Sequence, residues 1–105
     1  MYVMMTKIVF HGMTSIHNLD FDLDCIAIGK HPSSHIGSYD FGTQLSRHHA
    51  VLNWSEGVWW VRDLGSLHGT YVNSRQVTKE TPVRVNSGDR LLVGNHELRL
   101  WYETR

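Results

Sequence analysis

A single cysteine stands in the 105 residues, so Cys25 has no partner for an internal disulfide. That suits a reducing compartment, and Cys25, set among apolar neighbours, is expected as a small buried core residue rather than a nucleophile. Charge of one sign is lacking too, because ten Lys and Arg balance ten Asp and Glu. A general nucleic-acid binder carries a basic excess, and this chain has none. No apolar run approaches the roughly 20 residues that a membrane-crossing helix needs. Residues 1–10 are apolar but broken by Thr6 and Lys7, without the basic stretch and cleavage site of a leader. These absences lead us to expect a soluble cytoplasmic protein with no membrane and no nucleic-acid partner. The length suits one domain over residues 1–105, large enough for a hydrophobic core without a metal or disulfide staple.

A helical period is missing as well. What is present is a series of short apolar segments separated by turn residues. Leu19, Phe21 and Leu23 alternate with Asp20, Asp22 and Asp24, the period of two that a half-buried strand requires. Segments 7–11 and 25–28 read as strands ended by Gly12 and Gly29, and residues 30–45 read as a loop with a short strand near His35 and Ile36. Segments 49–54, 58–63, 70–72, 83–85, 89–93 and 97–102 follow as strands. The pairs Glu56-Gly57, Ser87-Gly88 and Gly94-Asn95 suit tight reversals between them. Trp59, Trp60, Tyr71, Trp101 and Tyr102 are residues that strands favour, with the tryptophans expected in core and sheet surface. Ten or so such strands make an all-β sandwich or barrel.

Eight histidines raise the question of metal, and the spacing answers against it. His48 and His49 point to opposite faces if their segment is extended, and no Cys or Glu cluster has zinc-site spacing. Ser46, His49 and Asp63 could be read as a hydrolytic triad, but no nucleophile turn or oxyanion motif accompanies them. Asp63 and Asp89 occupy positions where turns place Asp. We therefore expect no catalytic residue, no metal and no cofactor.

Three pieces carry chemistry instead: Gly29-Lys30, Ser46-Arg47-His48-His49, and the run from Asp63 to Asn73. Each places small polar or cationic groups at a strand end beside glycines that let backbone approach a ligand. A phosphate monoester carries about −1.5 to −2 charges and three acceptor oxygens. Hydroxyls, backbone N–H groups and one or two cations satisfy it, and Lys30, Ser46 and Arg47 supply that set if their loops converge.

In order and spacing these pieces resemble the forkhead-associated (FHA) domain family. Its pattern runs Gly-Arg, then Ser-Arg-x-His, then Asp-x-Gly-Ser-x-Asn-Gly-Thr, then a Gly-Asp before the last strands. This chain has Gly29-Lys30, Ser46-Arg47-His48-His49, Asp63 through Thr70, and Gly88-Asp89, a match over a motif-bearing core at about 7–102. FHA domains are a standard instance of phospho-motif recognition by basic residues. The resemblance implies a β-sandwich of about eleven strands with ligand-binding loops at one end. It implies binding of a phosphothreonine-containing segment of a partner protein, with Lys30, Ser46, Arg47, Leu67 and His68 in contact with the phosphopeptide. His49, Gly69 and Thr70 would brace the loops.

Three positions depart from that pattern. Lys30 replaces an Arg, keeping the charge but losing the planar fork. Leu67 stands where many members place a hydroxyl, and His68 where an Asn holds the ligand's main chain. Leu67 and His68 also define the alternative, an interaction module of the same fold that does not require phosphate.

Overall fold

Extended segments with one buried and one solvated face account for most of this structure, a computed structural model that describes residues 6–11, 16–21, 24–37 and 45–102. The strands are β1 (Thr6–His11), β2 (Ile16–Phe21), β3 (Cys25–Ile28), β4 (Ala50–Ser55), β5 (Val58–Asp63), β6 (Thr70–Val72), β7 (Arg75–Val77), β8 (Val83–Val85), β9 (Arg90–Val93) and β10 (His96–Tyr102). No helix occurs among the described residues. A six-stranded sheet has the order β2-β1-β10-β9-β6-β7 and a four-stranded sheet the order β3-β4-β5-β8, with every named pairing antiparallel.

The core lies between the two sheets. Ile26, Leu52, Trp59, Val61, Val85, Leu91, Leu98 and Leu100 fill it from alternate strand positions. Trp59 is wholly buried, a contribution of roughly 4–6 kcal/mol of transfer free energy for a side chain of that area. Trp54 meets Trp59 edge-on at 5.5 Å and Tyr102 at 5.4 Å, while the Tyr102 hydroxyl donates to the Val85 carbonyl at 2.6 Å. Those contacts tie β10 of one sheet to β4, β5 and β8 of the other. Trp60 and Trp101 face outward, as expected of sheet-surface tryptophans.

Ten strands form among the described residues, fewer than the eleven that the family resemblance implies. The segment at His35 and Ile36 contributes only a parallel bridge between Ile28 and Ile36. The His35 and Ile36 N–H groups both donate to the Ala27 carbonyl, at 2.9 and 3.1 Å, so an alternating ladder does not develop. Strand β7 was not anticipated. It is reached through Asn73 and Ser74, both at positive φ (47° and 74°), the two-residue turn that matches strand twist.

Cys25 is a correction: it is exposed, not buried. Ile26 and Ile28 take the inward positions of β3, and a period of two then turns Cys25 to solvent. The expected end of the first strand at Gly12, the continuation of the second to Leu23, the facing of Leu19 and Phe21, and loop residues 38–44 lie outside the described residues and side chains.

Candidate functional site

Ile28, Ala50 and Asp63 lie in one row across β3, β4 and β5. Segments 29–31, 46–49 and 64–69 therefore leave the four-stranded sheet at the same end. Lys30 N–H donates to the Ser46 carbonyl and His31 N–H to the Arg47 carbonyl, each at 3.0 Å, so the first two segments run against each other. That approach is possible because residue 29 is glycine. A Cβ there would lie 2.2 Å from the Arg47 carbonyl oxygen.

His49 joins the second segment to the third. Its backbone N–H donates to the Ile28 carbonyl and its carbonyl accepts from Leu64 N–H, both at 2.9 Å. Its ring is fully buried, with Nδ1 accepting from Ser46 N–H at 3.1 Å. The ring proton is therefore on Nε2, which donates to the Gly69 carbonyl at 2.8 Å. Burial holds the His49 pKa below 6.5, even though the Gly69 carbonyl and the Asp63 charge favour the protonated ring. The neutral tautomer is the one both bonds require, since imidazolium has no acceptor for Ser46 N–H.

This geometry bears directly on stability. Substituting His49→Ala leaves a backbone donor and a carbonyl without their partner, a loss of about 2 kcal/mol. A melting temperature lowered by about 10 °C is expected from thermal denaturation. An unchanged melting point would show that the imidazole does not hold these segments.

Asp63 organises the third segment. Its Oδ2 accepts from the N–H groups of Gly65 and Ser66, each at 2.9 Å. Its Oδ1 accepts from the hydroxyls of Ser66 at 2.5 Å and Thr70 at 2.7 Å. Ser66 Oγ in turn accepts from Gly69 N–H at 3.0 Å. Burial raises the Asp63 pKa, but the hydrogen bonds from Ser66, Thr70 and Gly65 outweigh it and hold the carboxyl below 3.8. Gly69 turns the chain at φ +87°, a conformation that side chains rarely adopt, and its carbonyl also accepts from Gly94 N–H at 3.1 Å. The wholly buried Thr70 begins β6 in the opposite sheet, so the carboxylate links the two sheets at the loop end.

Ser46 stands where the segments meet. Its hydroxyl oxygen accepts from Leu67 N–H at 3.0 Å, and its own proton has no acceptor among the described residues. Lys30 and Arg47 are exposed, and neither has an ion-pair partner among the described residues. His68 is exposed, and the Leu67 side chain is 83% exposed. Lys30, Ser46, Arg47 and Leu67 are thus carried on backbone segments joined by hydrogen bonds, with His68 next in the chain. Two features escaped sequence reasoning. The bonding of Ser66 to Asp63 was signalled by its place three residues on, where a turn hydroxyl can reach back. The packing of His31 against His48 had no signal.

Residues 26–94 match the FHA domain family, about two thirds of the chain. The oxoglutarate dehydrogenase inhibitor of Corynebacterium diphtheriae is 39% identical over 70 residues, covering 67% of this chain and 46% of that protein. The chain spans about half the length of the curated relatives of that kind. Among solved structures, the FHA domain of an Arabidopsis thaliana hypothetical protein superposes with a TM-score of 0.83 at 25% identity, covering 98% of this chain and 89% of the other. An FHA domain with phosphothreonine-dependent interactions superposes with a TM-score of 0.77 at 20% identity, covering 96% of this chain and 99% of the other. With the two-sheet architecture and its joined loops, these matches establish that the chain belongs to the FHA domain family.

Proposed function

We propose that this chain is a phosphothreonine-dependent protein-binding module that recognises a phosphorylated segment of a partner protein in the cytoplasm, and that it acts by binding rather than by catalysis. The observation that carries this is the Ser46 hydroxyl, held by Leu67 N–H and with no acceptor for its own proton among the described residues, on hydrogen-bonded segments that also carry the exposed cations Lys30 and Arg47. One neutral donor and two exposed cations on adjoining segments suit a dianionic phosphate monoester. Lys30, Ser46 and Arg47 contact the phosphate, and Leu67 and His68 lie along the peptide. Membership of the FHA family favours threonine over serine, and burying its extra methyl adds about 0.8 kcal/mol. The inhibitory role of the corynebacterial relative favours a regulatory setting.

Hydrogen bonds to charged groups contribute about 1.5–3 kcal/mol each, so Ser46→Ala or Arg47→Ala is expected to weaken phosphopeptide binding about tenfold or more. The fold should persist, because Leu67 N–H is on an exposed residue where water can replace the lost acceptor. Calorimetry with matched phosphorylated and unphosphorylated peptides is the measurement. Equal affinity for the two would overturn the phosphothreonine reading. It would favour a phosphate-independent module, for which the solvent-facing Leu67 offers an apolar contact.

A further inference from the structure

We propose that the stacked rings of His31 and His48 form a second anion subsite beside the phosphate loops, one that takes an acidic side chain flanking the phosphothreonine. The proposal rests on the phosphothreonine reading and adds the class of peptide the site selects. The ring centroids lie 4.9 Å apart with an interplanar angle of 26°. Each histidine is joined in sequence to one of the exposed cations, His31 to Lys30 and His48 to Arg47. The stack is built on main chain, since His31 N–H donates to the Arg47 carbonyl at 3.0 Å.

Hydrogen bonding also sets which ring nitrogen of His31 is left to donate. His31 Nδ1 accepts from Ser33 N–H at 3.1 Å and lies 2.6 Å from the Ser33 hydroxyl, which donates to the same nitrogen. The neutral ring therefore carries its proton on Nε2, a donor with no partner among the described residues. Neither ring nitrogen of His48 has a hydrogen-bond partner among them. Segments 29–37, 45–49 and 64–69 contain no Asp or Glu. The neighbouring Asp63 has its oxygens filled by Gly65, Ser66 and Thr70. A carboxylate brought in beside the phosphate thus meets unfilled N–H donors and no acidic competitor in these segments.

Calorimetry with phosphothreonine peptides that carry Asp or Ala at each flanking position in turn tests this. At one or more positions Asp is expected to bind wild type about fivefold tighter than Ala. The double variant His31→Phe with His48→Phe keeps two aromatic rings but removes their ring nitrogens. It should bind the Asp and Ala peptides alike while still discriminating phosphorylated from unphosphorylated peptide. If the double variant does not fold, the single variants His31→Phe and His48→Phe give the same reading, each with a reduced Asp preference. An Asp preference that survives in the variants assigns it to Lys30 and Arg47 and overturns the subsite, as does a wild type indifferent to Asp. Binding that ignores phosphate overturns the phosphothreonine reading, and the subsite with it.

Discussion

Replacing Asp63 by alanine is expected to lower the melting temperature by about 15 °C, a loss of about 3 kcal/mol in a domain of this size. Four donors converge on the carboxylate, from Gly65 N–H, Ser66 N–H, Ser66 Oγ and Thr70 Oγ1. Thr70 is fully buried, so its hydroxyl has no water to turn to. Charge contributes as well as geometry. The folded pKa lies below the ordinary 3.8, so the folded state holds the proton less tightly than the unfolded chain. The resulting stability is fully present above the unfolded value and is lost as pH falls through 3.8 toward the folded value. Asp63→Asn keeps the shape and removes the titration. Wild type should therefore lose more stability than Asp63→Asn between about pH 5 and pH 3 in parallel thermal melts. Parallel acid limbs would show that the carboxylate charge does not hold the loop.

The opposite sign of burial at His49 limits where function can be measured. Its pKa is lowered by burial, so the unfolded state binds more protons below 6.5 and stability declines as pH falls through that value. Binding measured well below neutrality would mix weaker loops with protonation of the phosphate, whose second pKa is about 6. Comparisons between variants belong near pH 7.5.

Strand alternation was legible in β5 and β8. Val58, Trp59, Val61 and Asp63 are buried in β5 and Val83 and Val85 in β8, and both strands begin and end where the pattern does. The same logic misled at Cys25, because an apolar segment of four residues does not reveal which parity faces inward. Strand β7 was hidden by Ser74, a residue that seldom signals positive φ. The loop motifs named Ser46, His49 and Thr70 because each residue type is demanded by a bond it makes. The His31 and His48 stack had no such signal. It arises from backbone pairing between residues 16 apart, which no local pattern encodes.

Gly29→Ala should impair the site more than loss of any one contact, reducing phosphopeptide affinity about a hundredfold and stability by about 2–3 kcal/mol. The added Cβ would meet the Arg47 carbonyl oxygen at 2.2 Å, its carbon at 2.9 Å and His48 Cα at 3.2 Å. All three are backbone atoms, so no side-chain rotation relieves the overlap. The two strand ends must separate, stretching the 3.0 Å bonds from Lys30 to Ser46 and from His31 to Arg47. Lys30, Ser46 and Arg47 then shift together, whereas Ser46→Ala removes a single donor from a site otherwise in place. Gly37→Ala is the control, because among the described residues a Cβ there meets the Gly29 carbonyl oxygen, at 3.4 Å, and no other atom within 4 Å. That contact is ordinary, and the control should bind within about threefold of wild type, under 1 kcal/mol. Calorimetry and thermal melts on the two variants separate the cases. Wild-type affinity in Gly29→Ala would mean that the close passage of segments 29–31 and 46–47 does not align the phosphate ligands, and the site would then have to rest on the Asp63 and His49 braces alone.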